Sequence, residues 1–210
     1  MPKLYLLGGE NVFKRSAREV NESAFQDAGE PLVILVFSWA RASFDNSYKK
    51  RKKLSDYFIS LGANTVNFVN YSDSNEMISR KMADSNLIYL TGGQTSILIE
   101  RLESTGVDSL LHDYGGIIIG RSAGALALCQ KCVITCRSNS KAKIINGLGF
   151  VDLTLKVHYK PEKDSILERL SKQERIYAVP MTSALIYENR FCSYIGDVFL
   201  FENGKKSKLS

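Results

Sequence analysis

The chain has 210 residues, of which 44% are hydrophobic and 24% charged, as in an average globular protein. These proportions exclude a disordered, collagen-like or coiled-coil chain, and the length predicts one domain over residues 1–210. The 28 Lys and Arg residues exceed the 22 Asp and Glu residues, and the resulting net charge of +6 makes a polyanionic partner a hypothesis to test.

Short apolar runs alternate with amphipathic segments through the first two thirds of the chain, which is typical of βα units around a parallel sheet. After Cys129 the segments become shorter and richer in β-branched residues, with one amphipathic helix predicted over 162–171. We therefore predict an α/β fold with a mainly parallel sheet and extra β structure in the C-terminal third. A helix is also predicted over 45–61, and the lysine-rich tail after Asn203-Gly204 is expected to fray. Strands are predicted over 4–7, 32–37, 65–69, 87–90, 116–119, 133–136, 153–158, 176–179, 184–187, 192–195 and 198–201.

The most informative motif is Gly-x-Ser-x-Gly at 120–124, which lies between a buried strand and a helix-forming run. In a nucleophile elbow the serine occupies a tight strand-to-helix turn, and the flanking glycines remove side chains that would collide there. The helix N-terminus then favours a developing oxyanion. The alternative interpretation is a glycine-rich connection in which Ser122 only caps the helix.

A serine nucleophile needs a base, and the chain contains only two histidines. His158 ends a predicted strand 36 residues after Ser122, where loops of an α/β fold gather around the site. His112 ends a helix beside Asp113 and is interpreted as a structural surface residue. His158 is therefore the candidate base.

A second glycine motif, Thr-Gly-Gly-Gln at 91–94, follows the strand predicted over 87–90. A backbone N–H of Gly92 or Gly93 could complete an oxyanion hole with the N–H of Ala123. The alternative is an ordinary tight βα turn, and Gly8-Gly9 after the first strand is interpreted as a similar turn. Neither pair belongs to a phosphate-binding loop motif.

Together, Thr-Gly-Gly-Gln at 91–94, the Ser-Ala-Gly-Ala elbow at 122–125 and the His158-Tyr159 pair resemble peptidase family S51, the dipeptidase E (aspartyl dipeptidase) and cyanophycinase group. The resemblance implies a flavodoxin-like three-layer sandwich related to class I glutamine amidotransferases. It implies Ser122 as nucleophile, His158 as base, Gly93 and Ala123 as oxyanion donors, and Gly92 and Gln94 in the same substrate-binding loop. It also implies hydrolysis of a small peptide beside an acidic residue, such as an N-terminal aspartate, without a metal or organic cofactor.

The chain departs from the family pattern at the third catalytic position. Members usually carry Asp or Glu between the nucleophile and the histidine, but the corresponding stretch, 136–141, holds no carboxylate. Asp152 would lie ~20 Å from His158 along an extended strand, so Asn139 is the weak candidate to orient the imidazole. Glu162 and Asp164, shortly after the histidine, are nearby alternatives. Arg121, at the variable elbow position, could bind a substrate carboxylate or pair with a neighbouring acid.

The basic run 49–53 is the obvious nucleic-acid candidate, but it is interpreted as the solvated face of a helix, and no nucleic-acid partner is expected. Four clustered cysteines indicate a reducing compartment rather than a disulfide scaffold or a metal site. Without a signal-like or membrane-spanning segment, a cytoplasmic location and no membrane partner are expected. Two other functions remain open: an S51-like binding or regulatory protein that has lost catalytic competence, and a basic nucleic-acid-binding protein.

Overall fold

The computed structural model describes residues 2–41, 48–135 and 142–210. The larger of its two sheets contains the strands β1 (Lys3–Leu7), β2 (Val33–Phe37), β3 (Thr65–Val69), β4 (Leu87–Leu90), β5 (Ile117–Arg121), β10 (Ala184–Glu188) and β11 (Phe191–Ile195). These seven strands lie in the order β11-β10-β1-β5-β4-β2-β3. The strands β1, β5, β4, β2 and β3 run parallel, whereas β10 is antiparallel to β1, and β11 is antiparallel to β10.

Side chains that alternate along these strands enter two separate cores, one on each face of the sheet. On one face, Tyr5, Val36 and Tyr89 pack with the apolar sides of α1 (Arg18–Ala28) and α2 (Tyr48–Ile59). On the other face, Leu6 and Phe37 pack with the remaining helices of this part of the chain. Those helices are α3 (Asn75–Ala83), α4 (Thr95–Thr105), α5 (Val107–His112) and α6 (Ala123–Leu128). The predicted α/β class with a mainly parallel sheet is confirmed.

The C-terminal third adds a second sheet of six strands in the order β13-β12-β9-β8-β6-β7. Its residues Leu155 and Val179 belong to the same core as α6, so the second sheet packs beside the α6 face of the first. This brings the end of β8 next to the end of β1, where the candidate site lies. The elements are β6 (Cys129–Thr135), β7 (Ala142–Asn146), β8 (Val151–Val157), α7 (Asp164–Leu170), β9 (Ile176–Val179), β12 (Phe199–Glu202) and β13 (Lys205–Lys208).

Several predicted boundaries were wrong. The lysine-rich tail does not fray, because β13 pairs with β12 and Lys206 forms an ion pair of 2.9 Å with Asp164. Strand β7 was not predicted, and β6 begins at Cys129 rather than at 133. The helix predicted over 162–171 divides into a 3-10 turn, Pro161–Lys163, and α7. No helix in the described parts of the chain has the length and apolar character to span a bilayer.

Candidate active site

Ser122 occupies a tight turn between β5 and α6, as the motif predicts. Its φ of 54° and ψ of −104° lie outside the helical and extended regions, so the turn is strained. The flanking glycines permit the close approach of neighbouring backbone. A Cβ atom at Gly120 would lie 2.7 Å from the nitrogen of Ala125, and one at Gly124 would lie 2.4 Å from the carbonyl oxygen of Leu90.

The second sheet brings His158 to the same place. His158 follows β8, has a φ of 50°, and places Nε2 2.7 Å from the Ser122 hydroxyl oxygen. Two consecutive carbonyls at the end of β1 hold the pair: Leu7 accepts from the Ser122 N–H at 2.9 Å, and Gly8 accepts from the His158 N–H at 3.0 Å. The serine and the histidine are therefore positioned by backbone hydrogen bonds to one strand end.

Gly9 supports the imidazole directly. A Cβ atom at this position would lie 2.4 Å from Cε1 and 2.6 Å from Nδ1 of His158, so only hydrogen fits between the backbone and the ring. The Gly9 carbonyl also accepts from the Thr182 N–H at 2.9 Å, and a Cβ at Gly8 would lie 1.9 Å from the Pro180 carbonyl oxygen. The sequence interpretation of Gly8-Gly9 as an ordinary turn missed this role. The available signal was a glycine pair at the carboxyl end of a central strand.

The electrostatic environment favours the neutral form of the His158 imidazole. Burial lowers the pKa of His158, and the positive charges of Lys156 and Arg121 lower it further. Lys156 is only 6% exposed, donates to the Val157 carbonyl at 2.7 Å, and has a pKa lowered to about 8, mainly by burial. A neutral imidazole in contact with a hydroxyl can accept its proton.

The Thr-Gly-Gly loop lies next to Ser122. A Cβ at Gly92 would lie 3.2 Å from the Ser122 Cβ, so the two backbones are in close contact. Across the described residues, no backbone carbonyl outside regular elements accepts from the N–H of Gly92 or Gly93. The N–H of Ala123 is at the first position of α6, where helices leave donors unpaired. The N–H of Gln94, unlike those of Gly92 and Gly93, has a backbone partner: it donates to the Ala40 carbonyl at 2.6 Å. The Gln94 residue is exposed.

Ser122 and His158 open into a pocket of about 570 Å³ along the carboxyl ends of the parallel strands. The basic run was interpreted as mainly a solvated face, and Lys50 and Lys53 are indeed exposed, but Lys50, Arg51 and Lys53 also line this pocket. The sequence pattern placed these residues on α2 but could not show that this side of the helix lines the pocket of Ser122 and His158. The cationic side chains lining the pocket are Arg41, Lys50, Arg51, Lys53 and Arg121.

Among the described residues, Glu10 is the carboxylate that lines the pocket, and sequence reasoning missed it. Its two oxygens accept from the Asn21 amide at 3.2 Å and from the Tyr89 hydroxyl at 3.1 Å, so its position is fixed. Arg121 also lines the pocket, with its guanidinium 5.9 Å from the centre of the Tyr89 ring. Within the described chain, no carboxylate forms an ion pair or hydrogen bond with Arg121.

The sequence model of peptidase family S51 matches residues 28–195, which include both Ser122 and His158. The chain belongs to peptidase family S51. An uncharacterized peptidase of Listeria monocytogenes (strain EGD-e), Lmo0363, is 28% identical over 126 residues. That match covers 54% of this chain and 62% of the relative, so the aligned part spans less than two thirds of the relative's length.

Two crystal structures share the S51 fold. A peptidase from an acI-B1 actinobacterium superposes with a TM-score of 0.76 at 19% identity, covering 100% of this chain and 94% of that one. A protein from Listeria monocytogenes EGD-e assigned to peptidase E superposes with a TM-score of 0.69 at 22% identity, covering 93% and 98%. The resemblance inferred from the motifs is therefore confirmed at the level of family and fold.

Apart from the Ser122 contact, the described residues give the His158 ring no hydrogen-bond partner. Asn139 lies outside the described residues, and within them no carboxylate forms a hydrogen bond with His158. Asp164 accepts from the Tyr159 hydroxyl at 2.6 Å and pairs with Lys206, while Glu162 pairs with Lys160 at 4.0 Å. Both acids near the histidine in sequence are thus engaged elsewhere.

The remaining sequence candidates lie away from the site. His112 stacks on Phe150 with ring centres 3.8 Å apart, as expected for a structural residue. Cys129 and Cys132 are buried thiols, and Cys136 lies outside the described residues. No cluster of potential metal ligands occurs in 2–41, 48–135 or 142–210.

Proposed function

We propose that this S51 member is a serine peptidase of the dipeptidase E type, which cleaves the peptide bond after an N-terminal aspartyl residue. The observation that carries the proposal is the 2.7 Å contact between the Ser122 hydroxyl and Nε2 of His158. A hydroxyl at the end of a parallel sheet, in contact with a neutral imidazole and open to a pocket, is the arrangement that acyl transfer requires.

The reaction follows from the positions of these groups. Ser122 Oγ attacks the scissile carbonyl carbon while its proton passes to His158 Nε2. The negative charge that forms on the carbonyl oxygen is stabilised by main-chain N–H groups of Gly92 or Gly93 and of Ala123. His158 then donates the proton to the departing amine. Water, deprotonated by the same nitrogen, releases the acid product and restores the serine hydroxyl.

The charges around the nucleophile suit an N-terminal aspartate. Arg121 directly precedes Ser122 and can pair with the aspartyl side chain in a bidentate arrangement. Glu10, held by Asn21 and Tyr89, supplies an anion for the substrate's α-ammonium group. These two side chains would thus select both charges of an N-terminal aspartyl residue.

Labelling with a fluorophosphonate probe tests the proposed nucleophile. We expect the native chain to be modified at Ser122, located by peptide mapping, and Ser122→Ala to remain unmodified at equal thermal stability. Ser96→Ala, which removes an exposed hydroxyl of α4 outside this pocket, serves as a matched control and should be labelled like the native chain. If the folded native protein is not labelled, or is labelled elsewhere, the chain is a binding or regulatory protein rather than a serine peptidase.

A further inference from the structure

The pocket continues well beyond the residues that the proposed chemistry uses. From Ser122 it passes the Thr-Gly-Gly loop and reaches the side of α2 that carries Lys50, Arg51 and Lys53. We define these three residues as the α2 basic face. The aspartyl substrate proposed above has one side-chain carboxylate, which Arg121 can bind. The α2 basic face therefore has no role in recognising that group.

Three contacts hold two members of the α2 basic face in place. The Lys53 ammonium lies 4.3 Å from the centre of the Phe13 ring, and Phe13 is 73% exposed at the pocket wall. The Arg51 guanidinium lies 5.1 Å from the centre of the Phe68 ring and donates to the Asn70 amide oxygen at 2.9 Å. An aromatic face orients a cation without neutralising its charge, so the Lys53 ammonium carries its positive charge at the pocket wall.

The distance between the two ends of the pocket follows from the sheet. Arg51 is tied to Asn70, directly after β3, whereas Ser122 follows β5. The hydrogen-bonded order β5-β4-β2-β3 puts three strand spacings between them. At ~4.8 Å per spacing, the far end of the pocket lies ~14 Å from the nucleophile.

An extended peptide rises ~3.4 Å per residue. If residue 1 supplies the scissile carbonyl, the side chain of residue 4 reaches the far end of the pocket, whereas a dipeptide does not. This step rests on the proposed function, because an N-terminal aspartate at Ser122 leaves the rest of the peptide on the leaving-group side.

We propose that the α2 basic face is a second anion subsite, which extends the substrates beyond dipeptides that begin with aspartate to acidic peptides of at least four residues with a carboxylate near the fourth. Several partly exposed ion pairs, each contributing a fraction of a kcal/mol, together give roughly a tenfold gain in affinity that weakens with added salt.

The test compares Asp-Ala-Ala-Asp-amide with Asp-Ala-Ala-Asn-amide, which differ by one charge. Isothermal titration calorimetry on Ser122→Ala measures binding without turnover. The acidic peptide is expected to bind about tenfold tighter. Adding Lys53→Met to Ser122→Ala should reduce the ratio of the two peptide affinities below about threefold, because one cation of the subsite is lost. Lys52→Met is the matched control, because it removes the same charge from the neighbouring position. Lys52 pairs with Asp56 at 2.9 Å and does not line the pocket.

The outcomes separate the two proposals. Equal affinity for the two peptides, no binding of either, or an equal effect of Lys52→Met and Lys53→Met overturns the second subsite. If the native chain nevertheless cleaves Asp-Ala in a Ser122-dependent way, the peptidase proposal stands alone. A tenfold difference lost only in Lys53→Met, in a protein that cleaves no peptide, supports the subsite and overturns the peptidase.

Discussion

Substituting Gly9 with alanine tests whether the backbone of the first loop positions His158, the proposed base. The new methyl carbon would lie 2.4 Å from Cε1 and 2.6 Å from Nδ1 of His158, whereas ordinary contacts begin near 3.4 Å. Relief of this overlap requires the ring to move by ~1 Å. The Ser122–His158 contact of 2.7 Å would then exceed hydrogen-bond length. A displacement of that size costs about 100-fold in rate.

The assay is the second-order rate of fluorophosphonate labelling at Ser122, measured beside a thermal melt. We expect Gly9→Ala to be labelled about 100-fold more slowly while remaining folded. Gly115→Ala is the matched control, because a Cβ at Gly115 meets nothing within 4 Å and should leave the rate unchanged. Labelling of folded Gly9→Ala at the native rate would refute the reasoning, since His158 would then act without this contact.

Three further predictions concern pH, recognition and stability. The acid limb of kcat/KM should have its midpoint below the ordinary histidine value of about 6.5. Lys156→Met removes a neighbouring positive charge, raises the pKa of His158 and should move that midpoint upward, so an unchanged pH profile would argue against the electrostatic account. Glu10→Gln should raise KM for Asp-Ala roughly tenfold but leave N-acetyl-Asp-Ala unaffected, and equal effects on both would exclude ammonium recognition. Deleting 205–210 removes β13 and the Lys206–Asp164 ion pair, so Tm should fall by several degrees; an unchanged melt would mean that the tail adds no stability.

Local sequence patterns predicted the first part of the fold well. The strands at Thr65–Val69 and Leu87–Leu90 were placed correctly because continuous apolar or alternating runs end at clear turn signals. Strand β13 was missed because it is a lysine-rich edge strand with little apolar pattern. Its pairing depends on the Asn203-Gly204 turn and on contacts with distant residues such as Asp164.

The candidate site could be predicted from the sequence only in part, because some of its contacts join distant segments of the chain. Gly-x-Ser-x-Gly identified Ser122, and elimination among two histidines identified His158, because both signals are local or compositional. The supports are not local. Gly9 contacts a residue 149 positions later in the chain, and Lys53 reaches the pocket only because α2 packs beside the loop that carries Phe13. No periodicity within one segment encodes such contacts between segments.

Hydrolysis of Asp-Ala by the native chain and by Ser122→Ala tests the central claim most directly. The proposed mechanism predicts release of free aspartate and alanine by the native protein, slower release from Asn-Ala, and no release above the uncatalysed rate by folded Ser122→Ala. Equal hydrolysis by the native chain and Ser122→Ala, or none by a native chain shown to be folded, would contradict the assignment of Ser122 and His158 as a peptidase pair.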